Sequence, residues 1–435
     1  MAVANGHASP FGGFFMTISK LSMVSLAALG TALTVHAHAQ TAAPAEAPAA
    51  AADAPPAAWA DTLKIHGSAE LGFTINPDGP GNGLNYGQLF TDKANEVLLN
   101  QVLLTAERPL DPKAEGNDYG FKLQGMIGTD ARYTHFLGEL DRIIHDRTQV
   151  DIVEANFLAH YAGLTEGGVD IKLGQYSTPL GAEVIDATAN TFYSHSYIFN
   201  FGLPLKHTGG YATFHVSDML DIYAGGDTGV NTSLFHGDNN GVPAFLGGFG
   251  LNGLMDGKLT VLALTHIGAE NPSNSVGFNA DAKKRWINDI VLTYKYDDTL
   301  TLTTELNYIK DDGFHAQAYG IAQYLAYTVN DNVQVSLRGE VYRDANGFFV
   351  AAFPNPLDFV NLEKGQPAQV LSAGKATYSE VTLGMTYKPE VPDAITGTMI
   401  RPELRYDRAL AGGKPYSNFT SKGQVTLAFD LVVPF

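Results

Sequence analysis

The stretch KGQVTLAFDLVVPF (422–435) decides the fold class. Val425, Leu427, Phe429, Leu431, Val433 and Phe435 fall on one face of an extended chain, and Gln424, Thr426 and Asp430 fall on the other. Period-two alternation of this kind marks a strand with one apolar and one polar face. In a soluble sandwich the apolar face looks into a core. In a membrane barrel it looks outward to lipid, and the polar face lines water. An aromatic residue closing such a strand has the form of a barrel-assembly signal, so Phe435 is expected to engage the assembly machinery of the outer membrane. An ordinary edge strand is the plainer reading of the segment taken alone.

The same alternation recurs upstream. Leu63, Ile65, Ala69, Leu71, Phe73 and Ile75 oppose Lys64, His66, Ser68, Glu70 and Thr74. Strands are expected at 63–76, 97–109, 119–130, 149–161, 169–176, 209–216, 220–227, 244–251, 258–267, 285–296, 300–310, 317–328, 333–343, 377–388, 398–407 and 422–435, about sixteen in all. The links alternate in length. Short ones such as 217–219, 297–299 and 330–332 interleave with long ones at 77–96, 131–148, 177–208, 228–243, 268–284, 344–376 and 408–421. Only the link near 311–316 is short where a long one is due. This is the pattern of an all-β, transmembrane, antiparallel up-and-down barrel with short periplasmic turns and long extracellular loops. A soluble all-β protein has no reason to gather its long loops at one end. Tyr161, Tyr294, Tyr296, Tyr308, Tyr327, Tyr387 and Tyr406 sit near strand ends, where amphipathic rings favour the membrane–water boundary.

Composition agrees. Hydrophobic residues make up 45%, too few for a helical membrane protein, and no segment beyond the leader approaches a spanning helix. With no cysteine, disulfides, thiolate zinc sites and Cys nucleophiles are excluded. Residues 1–39 read as an over-extended start plus a cleaved signal peptide: Lys20 supplies the positive region, 21–35 the apolar run, and Ala37-His38-Ala39 the cleavage site. A transmembrane anchor is the weaker alternative, because that run is short of the ~20 residues a span needs. Residues 40–60, rich in Ala and Pro, read as a disordered periplasmic linker, and 61–435 as the barrel. Removing the leader takes away one of 27 basic residues and none of 45 acidic ones, so the mature chain is strongly acidic and a nucleic-acid partner is not expected.

Three segments, LGQYSTPLGAEVIDATANTFYSHSYIFNFGLPLKHTG (173–209), RGEVYRDANG (338–347) and RPELRYDRAL (401–410), resemble the β-barrel porin family called OmpL-like. The resemblance implies an outer-membrane porin, names no solute and carries no cofactor. Porins of this size are often trimers, so a homotrimer is expected by analogy, embedded in outer-membrane lipid.

Within this frame the long link 177–208 is the candidate constriction loop. Its aromatics suit packing in the lumen, and Glu183, Asp186, Asn190, Ser194, Ser196 and His207 are then expected to line the eyelet. A packed outer loop at the mouth is the alternative. Strand parity places Arg338 and Glu340, and Arg401, Glu403 and Arg405, on the inner wall, because an Arg facing lipid at mid-membrane costs ~2–4 kcal/mol. Glu380 and Lys388 are placed inside by the same argument. Two readings compete and can both hold: an acidic loop facing a basic wall creates a transverse field, and the R-x-E-x-R-x-D run pairs along the wall as a ladder of ion pairs. Small hydrophilic solutes or ions would pass through such a lumen by diffusion. A barrel plugged by its own loops, serving a structural or adhesion role, is the alternative function, and an outer-membrane enzyme a more distant one. Metal or nucleotide sites are not expected: the GFGLNG run (248–253) precedes a strand rather than a helix, and the histidines show no metal-binding spacing. DGPGNG (78–83) and HGDNNG (236–241) offer oxygens to Ca²⁺ but read more simply as turns.

Overall fold

A computed structural model describes residues 59–111, 116–140, 146–233, 237–273 and 282–435. The expected leader (1–39) and nearly all of the linker (40–60) lie outside these residues. The exception is the linker's end: Trp59–Thr62 forms a short helical turn, and Trp59 donates its indole N–H to the Tyr119 carbonyl at 3.0 Å.

Sixteen antiparallel strands close into one barrel. They are β1 (Lys64–Ile75), β2 (Val97–Arg108), β3 (Asp118–Gly128), β4 (Gln149–Tyr161), β5 (Val169–Ser177), β6 (Lys206–Ser217), β7 (Leu220–Asp227), β8 (Ala244–Gly253), β9 (Leu259–Gly268), β10 (Arg285–Lys295), β11 (Leu300–Asp311), β12 (Ala316–Asn330), β13 (Val333–Asp344), β14 (Ala376–Tyr387), β15 (Met399–Ala411) and β16 (Gly423–Pro434). Every strand expected from alternation is present. The loops at one end, L1 to L8, span 76–96, 129–148, 178–205, 228–243, 269–284, 312–315, 345–375 and 412–422. L6 is the short one, as the sequence implied. GFGLNG lies in β8, and Lys388, expected inside, lies exposed just beyond the end of β14.

Burial follows the parity argument. Along β16 Val425, Leu427, Phe429 and Leu431 are exposed, and Gln424, Thr426 and Asp430 are buried. Along β15 Ile400, Leu404 and Tyr406 face out while Arg401, Glu403, Arg405 and Asp407 are enclosed. An apolar exterior around a polar interior suits lipid outside, where only a closed ladder satisfies every backbone group.

Closure joins β1 to β16, from Ser68↔Pro434 to Ile75↔Leu427. At its end Gly67 and Phe435 exchange two backbone hydrogen bonds, 2.8 and 2.9 Å. Gly67 has to be glycine, since a Cβ there would stand 2.5 Å from the Phe435 ring and 2.6 Å from the Leu103 carbonyl oxygen. Substituting Gly67→Leu is expected to displace the Phe435 ring and cost about 1–3 kcal/mol by overpacking. Heat-modifiable migration in gel electrophoresis measures this, and an unaltered transition temperature would refute it.

Candidate functional site: the loop L3 seam

L3 enters the barrel and lies against the inner wall formed by β13, β14, β15, β16 and β1. What holds it is a set of charged side chains that bind its backbone. Arg338 on β13 donates to the Ser194 carbonyl at 2.7 Å. Arg401 on β15 donates to the carbonyls of Ala187 and Asn190 at 2.8 and 2.6 Å. Arg405, two strand periods further, donates to the His195 carbonyl at 2.6 Å. Between them the glutamates accept. Glu340 takes the N–H groups of Tyr197 and Ile198 at 2.6 and 2.8 Å. Glu403 takes those of Tyr193 and Ser194 at 3.0 and 3.2 Å. The Arg-x-Glu repeat exists in this form because residues two apart on a strand share a face. It presents donors and acceptors in alternation to an irregular segment whose own backbone groups need partners.

Each guanidinium also has a carboxylate. Arg338 bonds to Glu380 and to Glu183 of L3, both at 2.6 Å. Arg401 pairs with Asp430, and with Glu70 at 3.1 Å. Arg405 pairs with Asp407 at 2.8 Å. All three arginines are at most 2% exposed. The three arginines are thus paired rather than free: within the run 401–407 the pair is Arg405–Asp407, the other carboxylates come from other strands and from L3, and L3 lies directly on this wall. Burial alone would raise the Glu183 carboxyl, but Arg338 and the bonds from His195 and the Ser196 N–H outweigh it, bringing it down to about 2.

The expected site residues divide accordingly. Glu183, Ser194, Ser196, Arg338, Glu340, Arg401, Glu403 and Arg405 converge in the seam and are buried. Asn190 folds L3 on itself, exchanging hydrogen bonds with the backbone of Val184 at 2.9 and 2.7 Å. Asp186, partly exposed, caps the short turn at Ala187–Ala189 through the Thr188 N–H. His207 is a correction: β6 begins at Lys206, so His207 belongs to the wall near the rim, fully buried against Asp227 and Thr178.

Two rings seat the loop on glycines of the wall. Tyr193 lies over Gly72, where a Cβ would fall 2.1 Å from the phenol oxygen. Phe192 lies over Gly384, where the separation would be 2.8 Å. L3 also reaches the opposite side. The Ala182 N–H bonds to Glu305 at 3.1 Å, and Asn307 donates to the Gly202 carbonyl at 3.1 Å.

Sequence reasoning did not anticipate the help L3 receives. Phe90 of L1 packs edge-on to His195 and Phe199. Tyr133 of L2 stacks on Phe90 and meets Phe353 and Phe359 of L7. Asp92 of L1 holds Arg132 of L2 at 2.8 Å. The loop end of the lumen therefore contains a shared aromatic core. Below L3, toward the short turns, Lys172, Tyr211 and Tyr223 are only half-buried.

Comparison with family descriptions matches residues 62–435 to "Putative beta-barrel porin-2, OmpL-like". The chain belongs to this family. It is an outer-membrane porin of the bacterial cell envelope. Solved structures of similar fold include an anion-selective porin from Comamonas acidovorans (10% identity, TM-score 0.53, 86% of this chain and 99% of that one). A loop-deletion mutant of the Vibrio cholerae outer-membrane protein OmpT matches over 86% and 99% of the two chains (10%, 0.52). OprB of Pseudomonas putida matches over 86% and 94% (12%, 0.51). At these identities the likeness is one of fold. Comparison with curated proteins gave no match.

The seam makes a stability prediction. Arg338→Ala leaves Glu183 and Glu380 buried without their partner, a change expected to cost ~3–5 kcal/mol. Arg343→Ala on the same strand, which removes a hydrogen bond to the Thr377 hydroxyl at 2.8 Å, is expected to cost under about 1 kcal/mol. Denaturant titration of the refolded barrel compares them, and equal costs would contradict the account.

Proposed function

We propose that this porin passes small hydrophilic solutes at a low rate set by L3, and that the wall seam is the element that fixes the width of the path. The observation that carries this is the attachment of three buried arginines to L3 backbone carbonyls. A loop gripped at four carbonyls and four N–H groups is a fixed restriction rather than a mobile lid. Its partners would act as the constriction by position more than by charge. Each guanidinium is matched by at least one carboxylate, so none of the three presents an unpaired positive charge to the opening, and neutralising Arg338, Arg401 and Arg405 acts mainly by releasing the loop.

A plugged barrel with a structural role has an observation in its favour, the aromatic core shared by L1, L2, L3 and L7. Trimer formation belongs to the same proposal, and native electrophoresis of the detergent-extracted protein tests it. We read the chain as a channel rather than a catalyst, in keeping with its family.

Planar-bilayer recording separates the readings. The wild type is expected to give small, uniform conductance steps. Gly384→Leu, which unseats Phe192 without altering a charge, and the double variant Arg401→Gln with Glu403→Gln are both expected to give larger steps, with little change in reversal potential. Silence from the wild type and from both variants, in correctly folded protein, favours the plug. Steps of unchanged size in the variants would remove the seam from the constriction.

A further inference from the structure

Near the loop end of the barrel, away from the seam, the first turn of β6, the end of β7 and the end of β9 bring together His207, Asp227 and His266. One ligand atom from each lies within 4.8 Å of the others. The His207 and His266 rings are 4.8 Å apart between centroids, and both residues have no exposed surface. We propose that these three residues bind a divalent transition metal of the zinc class.

Four atoms carry the argument. His207 Nδ1 and Asp227 Oδ2 face each other at 3.2 Å, and His266 Nδ1 and Glu270 Oε1 face each other at 3.6 Å. All four are buried, and none has hydrogen-bond geometry to any partner. Buried polar atoms are nearly always satisfied, so such a concentration requires an explanation. The His207–Asp227 pair, at 3.2 Å without hydrogen-bond alignment, has the separation two ligands show when each is ~2.0–2.1 Å from one tetrahedral ion; the His266–Glu270 pair lies on the outer side of the second ring.

The outer partners fit the tautomers that metal binding needs. A ligating imidazole donates its remaining N–H to an oxygen that fixes the ring. His207 has Thr178 Oγ at 3.0 Å from Nε2, leaving Nδ1 to ligate. His266 Nε2 shares a hydrogen bond with Asp227 Oδ1 at 3.0 Å, a bond that the metal would replace, and its Nδ1 faces Glu270. Asp227 is held by the Gly229 N–H at 2.8 Å, and Glu270 by the Val230 N–H at 2.7 Å. In the tautomer whose Nε2–H donates to Thr178, the His207 Nδ1 lone pair confronts a carboxylate oxygen and a cation between them removes the repulsion; in the other tautomer the metal takes the place of the Nδ1 proton. Two histidines and a carboxylate, with a fourth position for water, make a ligand set suited to zinc. Such an ion would tie the root of L3 to L4 and L5.

The test is metal content. The full chain is refolded in detergent with zinc ions, desalted through chelator and assayed by elemental mass spectrometry, with cobalt absorption as a second readout. About one zinc per chain is expected, together with the visible bands of a tetrahedral cobalt site. The double variant His207→Asn with His266→Gln keeps hydrogen-bonding groups in place and is expected to lose at least about tenfold in affinity. Heat-modifiable migration checks its folding, and if it does not fold, Asp227→Asn replaces it. Folded wild type without zinc, leaving a proton as the bridging cation, overturns the proposal. Zinc retained equally by the folded variant overturns it too.

Discussion

The constraint on which this molecule turns is the burial of charge inside a membrane. Three guanidinium groups lie at the centre of the wall, closed off from water. A charge so placed is tolerable only with close partners. Those partners are carboxylates of the wall (Glu380, Asp430, Glu70 and Asp407), the Glu183 carboxylate of L3, and backbone carbonyls of L3. The loop therefore completes the solvation of the wall. Remove it and Arg338, Arg401 and Arg405 would face the lumen with lone carboxylates. Remove them and four backbone carbonyls of L3 would lie unbonded. Neither part is complete alone, which is why the loop is a fixed element of the barrel.

That mutual dependence also organises what surrounds it. Tyr193 and Phe192 reach their seats because Gly72 and Gly384 leave room on the polar face. Phe90, Tyr133, Phe353 and Phe359 then cover the exposed side of the loop. The family places the chain among outer-membrane porins, whose lumen is ordinarily a passage. On the function proposed above, L3 narrows that passage, held to the wall by ionic contacts and covered by an aromatic one.

The architecture was legible because the membrane enforces it residue by residue. A two-residue period with a severe cost for misplaced charge assigns each side chain to a face, so sixteen strands and the inward set Arg338, Glu340, Arg401, Glu403 and Arg405 could be read from local pattern. The site was only half legible. Nothing local tells that Arg401 will grip Asn190, 211 positions away in the chain, or that the loop meets the basic wall instead of facing it. His207 was misread because β6 begins three residues earlier than its alternation suggests, Lys206 and His207 being two successive buried polar residues with no apolar face to mark a strand. Its meeting with Asp227 and His266 depends on three separate strands ending at one level, and no spacing in the sequence encodes that.

The seal between Gly67 and Phe435 has a consequence for how the barrel comes into being. Every other neighbouring pair in the wall is consecutive along the chain, so the wall can grow as a meander, one hairpin at a time, with little loss of chain entropy at each step. The pairing of β1 with β16 alone spans the full sequence. Until it forms, the growing sheet carries two open edges with unpaired N–H and C=O groups, the kind of surface that recruits other strands. The interval before closure is therefore the period in which the molecule is most open to wrong association, and its length depends on how soon the first and last strands meet.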